Sequence, residues 1–177
     1  MPYSELTAPK EPADLKRDRE NGWILEDDNR IVTFRVKTFQ ALADRISELF
    51  GAKVGSVVLY QMGNAIGHAG MKYTKGKITS ENELGETLDR VLGARGWGRC
   101  LELTSKSMGA KKMYSARMRG TPLAHERTSN EPTCHLMRGI LSGWLEAYFD
   151  GKVLESVERE CASMGRPFCT FEIILGK

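Results

Sequence analysis

The residues with chemistry to offer sit in the last third of the chain: Cys134, Cys161, Cys169 and the acidic residues near them. Cys161 and Cys169 lie either side of Met164-Gly165-Arg166-Pro167, a turn-forming stretch. Folding that turn brings two thiols close together on paired strands. Cys134 stands just ahead of an apolar run with helical spacing, where the residue before a first turn can face a sheet edge. Three thiolates converging in this way suit a soft divalent ion, and zinc in a tetrahedral, sulfur-rich site is the default. Glu158, Glu160, His135 and Cys100 each have the spacing to add a fourth ligand. The competing reading is three buried core thiols, because C-x7-C is not a zinc-knuckle spacing.

These residues need elements to hold them. Trp23–Glu26 and residues 31–36 are β-rich runs around Asp27-Asp28-Asn29-Arg30, which reads as a hairpin. Thr38 is placed to cap a helix carrying Phe39, Leu42, Ile46, Leu49 and Phe50, which ends at Gly51. Residues 54–73 are apolar but dotted with Gly55, Gly63, Gly67 and Gly70, the pattern of a helix packed closely through small residues. Ser80 and Glu83 form a capping-box pattern ahead of Leu84, Leu88, Val91 and Leu92. Residues 96–104 alternate as a strand and pair with residues 112–119 across residues 105–111. Leu136, Ile140, Leu141, Trp144, Leu145, Tyr148 and Phe149 recur at helical spacing after Cys134. The closing hairpin runs through residues 153–161 and 168–175. This order of elements predicts an α+β fold, an antiparallel sheet packed against helices. Residues 1–20 read as a polar lead-in, and residues 21–177 as one domain with its clasp at 134–171.

The 177 residues suffice for one core, and a charged fraction of 28% beside 41% apolar is that of a globular protein. A net charge of +3 is too small and too scattered to imply direct nucleic-acid binding. No run is long and apolar enough for a membrane span, and the N-terminus lacks the apolar stretch of a signal peptide. A cytoplasmic, reducing setting is therefore expected, which favours metal binding or burial over disulfides.

The stretch Cys134-His-Leu-Met-Arg-Gly139-Ile-Leu-Ser-Gly143, then Gly151-Lys-Val, then Glu158-Arg-Glu-Cys161 with Gly165-Arg-Pro-Phe-Cys169-Thr-Phe171, resembles the 4-vinyl reductase domain family. That family includes sensory domains of phenol- and xylene-responsive activators and stand-alone archaeal proteins, and its fold is shared by a TRAPP-complex component. The resemblance implies that Cys134, Glu158, Cys161 and Cys169 hold a structural zinc ion. It also implies an apolar cavity beside the zinc segment, for which Trp97, Tyr114, Met137, Leu141 and Trp144 are the candidate walls. His68 and Tyr60 are candidate polar groups for such a pocket, against the plainer reading that all of these are core. The phenol-binding His and Trp of the sensors have no clear counterparts here.

No P-loop, nucleophile elbow, H-E-x-x-H or G-x-G-x-x-G pattern occurs, and no flavin or nicotinamide motif supports a reductase. The functional expectation is a zinc-containing sensor or carrier domain for a hydrophobic or aromatic ligand. It would pair with itself as a homodimer and act through a regulatory partner protein. The alternatives are a tetrapyrrole-biosynthesis accessory protein or reductase, and an interaction scaffold with a filled interior.

Overall fold

The computed structural model describes residues 15–26 and 29–176. Of the expectations above, residues 1–14 of the lead-in and Asp27 and Asp28 of the first hairpin lie outside the described residues. Within the remainder of the lead-in, Lys16–Asp18 is a strand, β1, which pairs with β2 (Trp23–Glu26). The turn between them is fastened by Asp18, whose Oδ1 accepts the amides of Glu20 and Asn21 at 3.0 Å each. β3 (Asn29–Ile31) completes a three-stranded antiparallel meander.

The second arm of that hairpin is shorter than its β-branched residues suggested. β3 stops at Ile31, and Val36 already opens helix α1 (Val36–Phe50), with Arg35 at the N-cap position making no side-chain cap and Thr38 inside the helix. Packing overrides propensity here: Phe39 meets Trp97 edge to face at 5.4 Å, and Gln40 donates to the carbonyls of Pro122 and His125. Gly51, at φ 76°, ends α1 as expected, and α2 (Ala52–Thr74) follows at once.

The glycines of α2 do pack it closely, and their partner is α4 (His135–Phe149). A Cβ on Gly63 would lie 2.0 Å from the Leu136 carbonyl oxygen, and one on Gly67 2.2 Å from that of Ile140. The contact is reciprocal, since a Cβ on Gly139 would meet the Tyr60 carbonyl at 2.0 Å and one on Gly143 that of Asn64 at 2.1 Å. Two glycines four apart on each helix therefore bring the two backbones into direct contact.

A 3₁₀ turn at Glu81–Glu83 leads into α3 (Leu84–Ala94). The predicted capping box shifts back by one residue: Ser80 makes no side-chain cap, and the Glu83 carboxylate accepts from the amide and hydroxyl of Thr79. The main sheet comprises β4 (Arg99–Met108), β5 (Lys111–Arg119), β6 (Lys152–Glu160) and β7 (Cys169–Gly176) in the order β4-β5-β7-β6, antiparallel throughout. β4 is longer than its alternation suggested. It continues to Met108 and turns at Gly109, so most of residues 105–111 are strand and not loop. The core between helices and sheet holds Leu84, Leu88, Leu136, Leu141, Phe171 and Ile173, all at least 98% buried. Each contributes on the order of 1.5–3 kcal/mol by leaving water. The architecture is the expected α+β one, with one further small sheet. No helix among the described residues is long and apolar enough to cross a membrane.

The helix contact predicts opposite effects for two alanines on α2. Gly67→Ala must push the backbones apart and should cost about 1–3 kcal/mol in urea denaturation. Gly70→Ala, with nothing within 4 Å of its Cβ, should be neutral or gain up to about 1 kcal/mol from helix propensity. Equal shifts would mean that the two helices do not cross at these glycines.

Candidate metal centre

Four side chains from three places in the sequence meet at one end of the main sheet. Cys134 occupies the cap position of α4, Cys161 follows the last residue of β6, and Cys169 is the first residue of β7. The chain between the last two makes a 3₁₀ turn at Ala162–Met164 and reverses at Gly165, φ 78°. The Met164 amide and, more weakly, that of Arg166 donate to the Cys161 carbonyl, which ties the turn to the first thiol.

Glu158 reaches the same point through an irregularity in β6. In a regular strand, residues two apart share a face and residues three apart do not. Here Glu158 pairs with Phe171 and Glu160 with Thr170, so two steps on β6 match one on β7. This β-bulge sends the two carboxylates to opposite faces and puts Glu158 on the side of Cys161. Glu158 is only 7% exposed, whereas Glu160 faces solvent and accepts the Thr170 hydroxyl. Of the two glutamates, Glu158 is therefore the one that lies with the three cysteines.

One ligating atom from each of Cys134, Glu158, Cys161 and Cys169 lies within 4.8 Å of the other three, and all four residues are buried. The Cys134 sulfur is 3.7 Å from that of Cys169 and 4.0 Å from that of Cys161. With metal–sulfur bonds of about 2.3 Å, a tetrahedral ion sets its sulfurs about 3.8 Å apart. The spacing fits such an ion and is nearly twice a disulfide bond of about 2.05 Å. One Glu158 oxygen accepts the Cys134 amide at 2.9 Å, and the other is buried with no hydrogen-bond partner, as a ligand atom would be.

The protonation balance points the same way. Hydrogen bonds from Cys134 and Cys169 hold the Cys161 thiol far below its usual range. Hydrogen bonding to Cys161 and Cys169, reinforced by burial, pushes the Cys134 thiol up. Burial raises the Glu158 carboxyl to about 8. Four anionic groups this close cannot all ionise alone, and a divalent cation among them reverses the penalty.

Further donors surround the sulfurs. The Thr121 hydroxyl lies 3.2 Å from the Cys134 sulfur and 3.3 Å from that of Cys169. Ser163 reaches Cys161 at 3.1 Å, and the Ala162 amide donates to Cys169 at 3.3 Å. Sequence reasoning missed Thr121 and Ser163, and nothing in their spacing sets them apart from ordinary loop residues. Cys100 is elsewhere, with its thiol raised to about 12, chiefly by burial. His135 begins α4 but is not among the four.

The seven residues named as walls or polar groups of a ligand pocket lie at several places in the fold. Trp97 and Met137 border a narrow space of about 10 Å³, shared with Phe39, Thr121, Leu123 and Cys134. Tyr114 is buried at the sheet, packed on Phe149 at 5.3 Å with its hydroxyl on Glu81. Leu141 and Trp144 are core residues of α4. His68 sits half-exposed at 3.1 Å from Glu146, and Tyr60 lies under the Arg138 guanidinium.

Residues 115–175 match the model of the 4-vinyl reductase domain, a segment running from β5 to β7 that includes all four clustered residues. No curated protein matches the chain. Among solved structures, the chain is similar to the phenol-responsive sensory domain of the transcription activator PoxR with phenol. That match has 17% identity, covers 91% of this chain and 84% of the other, and has a TM-score of 0.77. A vinyl-4-reductase family protein from Methanocaldococcus jannaschii is 21% identical over 83% of this chain and 85% of its own, with a TM-score of 0.57. A trafficking protein particle complex subunit 3 from Naegleria fowleri, covalently bound to palmitic acid, is 15% identical with a TM-score of 0.53. It covers 81% of this chain and 98% of its own. At these identities the likeness is one of fold.

If the four groups hold an ion, Glu158→Gln should lower metal affinity at least about tenfold, while Glu160→Gln should leave it unchanged. Thr121→Val should weaken retention by about 10–100-fold, the usual effect of removing a group that hydrogen-bonds a ligand. Competition with a chromogenic chelator measures all three, and equal loss in both glutamate variants would remove Glu158 from the set.

Proposed function

We propose, for a chain that carries a 4-vinyl reductase domain over residues 115–175, a small-molecule-binding module held together by zinc and acting through a partner. The observation that carries this reading is the buried convergence of Cys134, Glu158, Cys161 and Cys169. Three thiolates and a carboxylate are a donor set for zinc, and four protein ligands leave no open position for a reacting water. The ion is then structural: it fastens the start of α4 to the β6–β7 turn and supplies no catalytic step.

The ligand is proposed to be a small hydrophobic or aromatic molecule, received in the apolar space beside Cys134 between Trp97 and Met137. The phenol-bound sensory domain that shares this fold supports that class of ligand. The space measures about 10 Å³, at the lower limit for one water molecule. A ligand must therefore displace Trp97 or Phe39 to enter, which makes the edge-to-face contact between them the gate.

A second reading is an interaction scaffold, and two observations favour it. The apolar space beside Cys134 measures only about 10 Å³, and α2 leaves Val54, Val57, Met62, Ile66 and Tyr73 exposed. That much exposed apolar helix surface suits a protein partner, a second copy of the chain being the simplest.

Two measurements separate these readings. Zinc should appear as added mass in native mass spectra, and Cys161→Ser should lose both that mass and several degrees of melting temperature, because site and fold form together. Phenol titrated against the protein should give saturable NMR shifts that Trp97→Ala alters by about tenfold or more in Kd. Absence of any saturable shift, together with a dimer that Ile66→Glu splits in light scattering, would favour the scaffold.

A further inference from the structure

A cavity much larger than the apolar space beside Cys134 borders the loop that leads to that residue. It is a half-open cleft of about 350 Å³ between α1, the first turns of α2 and the loop itself. That volume falls within the usual range for small-molecule sites, about 300–1,000 Å³. Its floor is apolar and buried, formed by Ala43, Leu59 and Leu123. Its walls are polar and carry charges of both signs.

Those charges fall into one closed pair and one open pair. Arg127 and Asp44 form an ion pair across the cleft lining, joining the loop to α1. Lys53, on the first turn of α2, and Glu131, on the loop, are exposed and make no side-chain hydrogen bond or ion pair among the described residues, although the Glu131 charge is felt by His135 in the same lining. Thr128 adds a hydroxyl that is likewise uncommitted. A ligand with only a carboxylate would satisfy Lys53 and leave its like charge facing Glu131. A ligand with only an amine would do the reverse. A molecule carrying both groups completes the open pair without a repulsive contact.

We propose that this cleft is a second binding site, for a small zwitterion of the amino-acid type. Its carboxylate meets Lys53, its ammonium meets Glu131, and its side chain rests on the Ala43–Leu59–Leu123 floor. The site is distinct from the proposed aromatic-ligand space, and the two share only Leu123. Thr133 and His135, the neighbours of Cys134, also line the cleft, so an occupant touches the segment that presents the first clasp ligand.

The test uses the whole chain as purified. The common L-amino acids are screened singly by thermal shift, and each hit is compared with its decarboxylated amine and its deaminated acid. At least one amino acid should raise the melting temperature saturably, with both single-charge analogues at least tenfold weaker. Lys53→Ala and Glu131→Ala should each abolish that shift, while Trp97→Ala should leave it intact. No shift with any amino acid, equal shifts with the single-charge analogues, or shifts unchanged in both cleft variants would overturn the proposal. Phenol binding tested separately reports on the other site, so failure of either reading is visible on its own.

Discussion

Where the side chains of Gly63 and Gly67 would stand, the carbonyls of Leu136 and Ile140 stand instead, and much of the molecule follows from that contact. Any larger residue would force the helices apart, because the obstacle is backbone and not a movable side chain. The crossing fixes α4 at its first turns. Leu136 is two residues after Cys134, so the contact that seats the helix also seats the first ligand of the clasp. From the other side, the sheet presents Glu158, Cys161 and Cys169. The cluster of three cysteines and Glu158 is thus a meeting of the helix layer and the sheet, and its geometry follows from the backbone on each side.

Charge explains why such a centre is worth having. Burying three thiols and a carboxylate side by side is unfavourable in any protonation state that leaves more than one of them ionised. A divalent cation turns that liability into a cross-link between residues far apart in sequence. The hydroxyls of Thr121 and Ser163 and the Ala162 amide hydrogen-bond the sulfurs, which spreads their charge and fixes their direction. The narrow apolar space beside Cys134 is bordered by Phe39, Trp97 and Met137.

How much of this was legible in the sequence differs by element, for physical reasons. The clasp was readable because a turn with Gly165 and Pro167 has little choice but to bring Cys161 near Cys169. The choice between Glu158 and Glu160 was not, since a bulge depends on pairing with a second strand. Glycines four apart announced a close contact but not with what, because the partner helix is some seventy residues away. Residues 32–36 misled through β-branching that the docking of Phe39 and Gln40 overrides. The walls of a pocket were not separable from core in the sequence, because apolar residues at helical spacing look alike whether they face a cavity or a filled interior. The cleft at α1–α2 left no motif at all, being assembled from isolated polar residues on three segments.

The bulge in β6 has one more effect. β6 is an outer strand of its sheet among the described residues, and an outer strand offers unpaired amides and carbonyls to any neighbour able to extend the sheet. The irregular steps at residues 153–155 and 158–160 break its register twice, and Arg159 and Glu160 add charge along the same stretch. The kink that turns one glutamate inward therefore leaves the open edge a poor template for another strand. Building the site and resisting aggregation are achieved by the same extra residue.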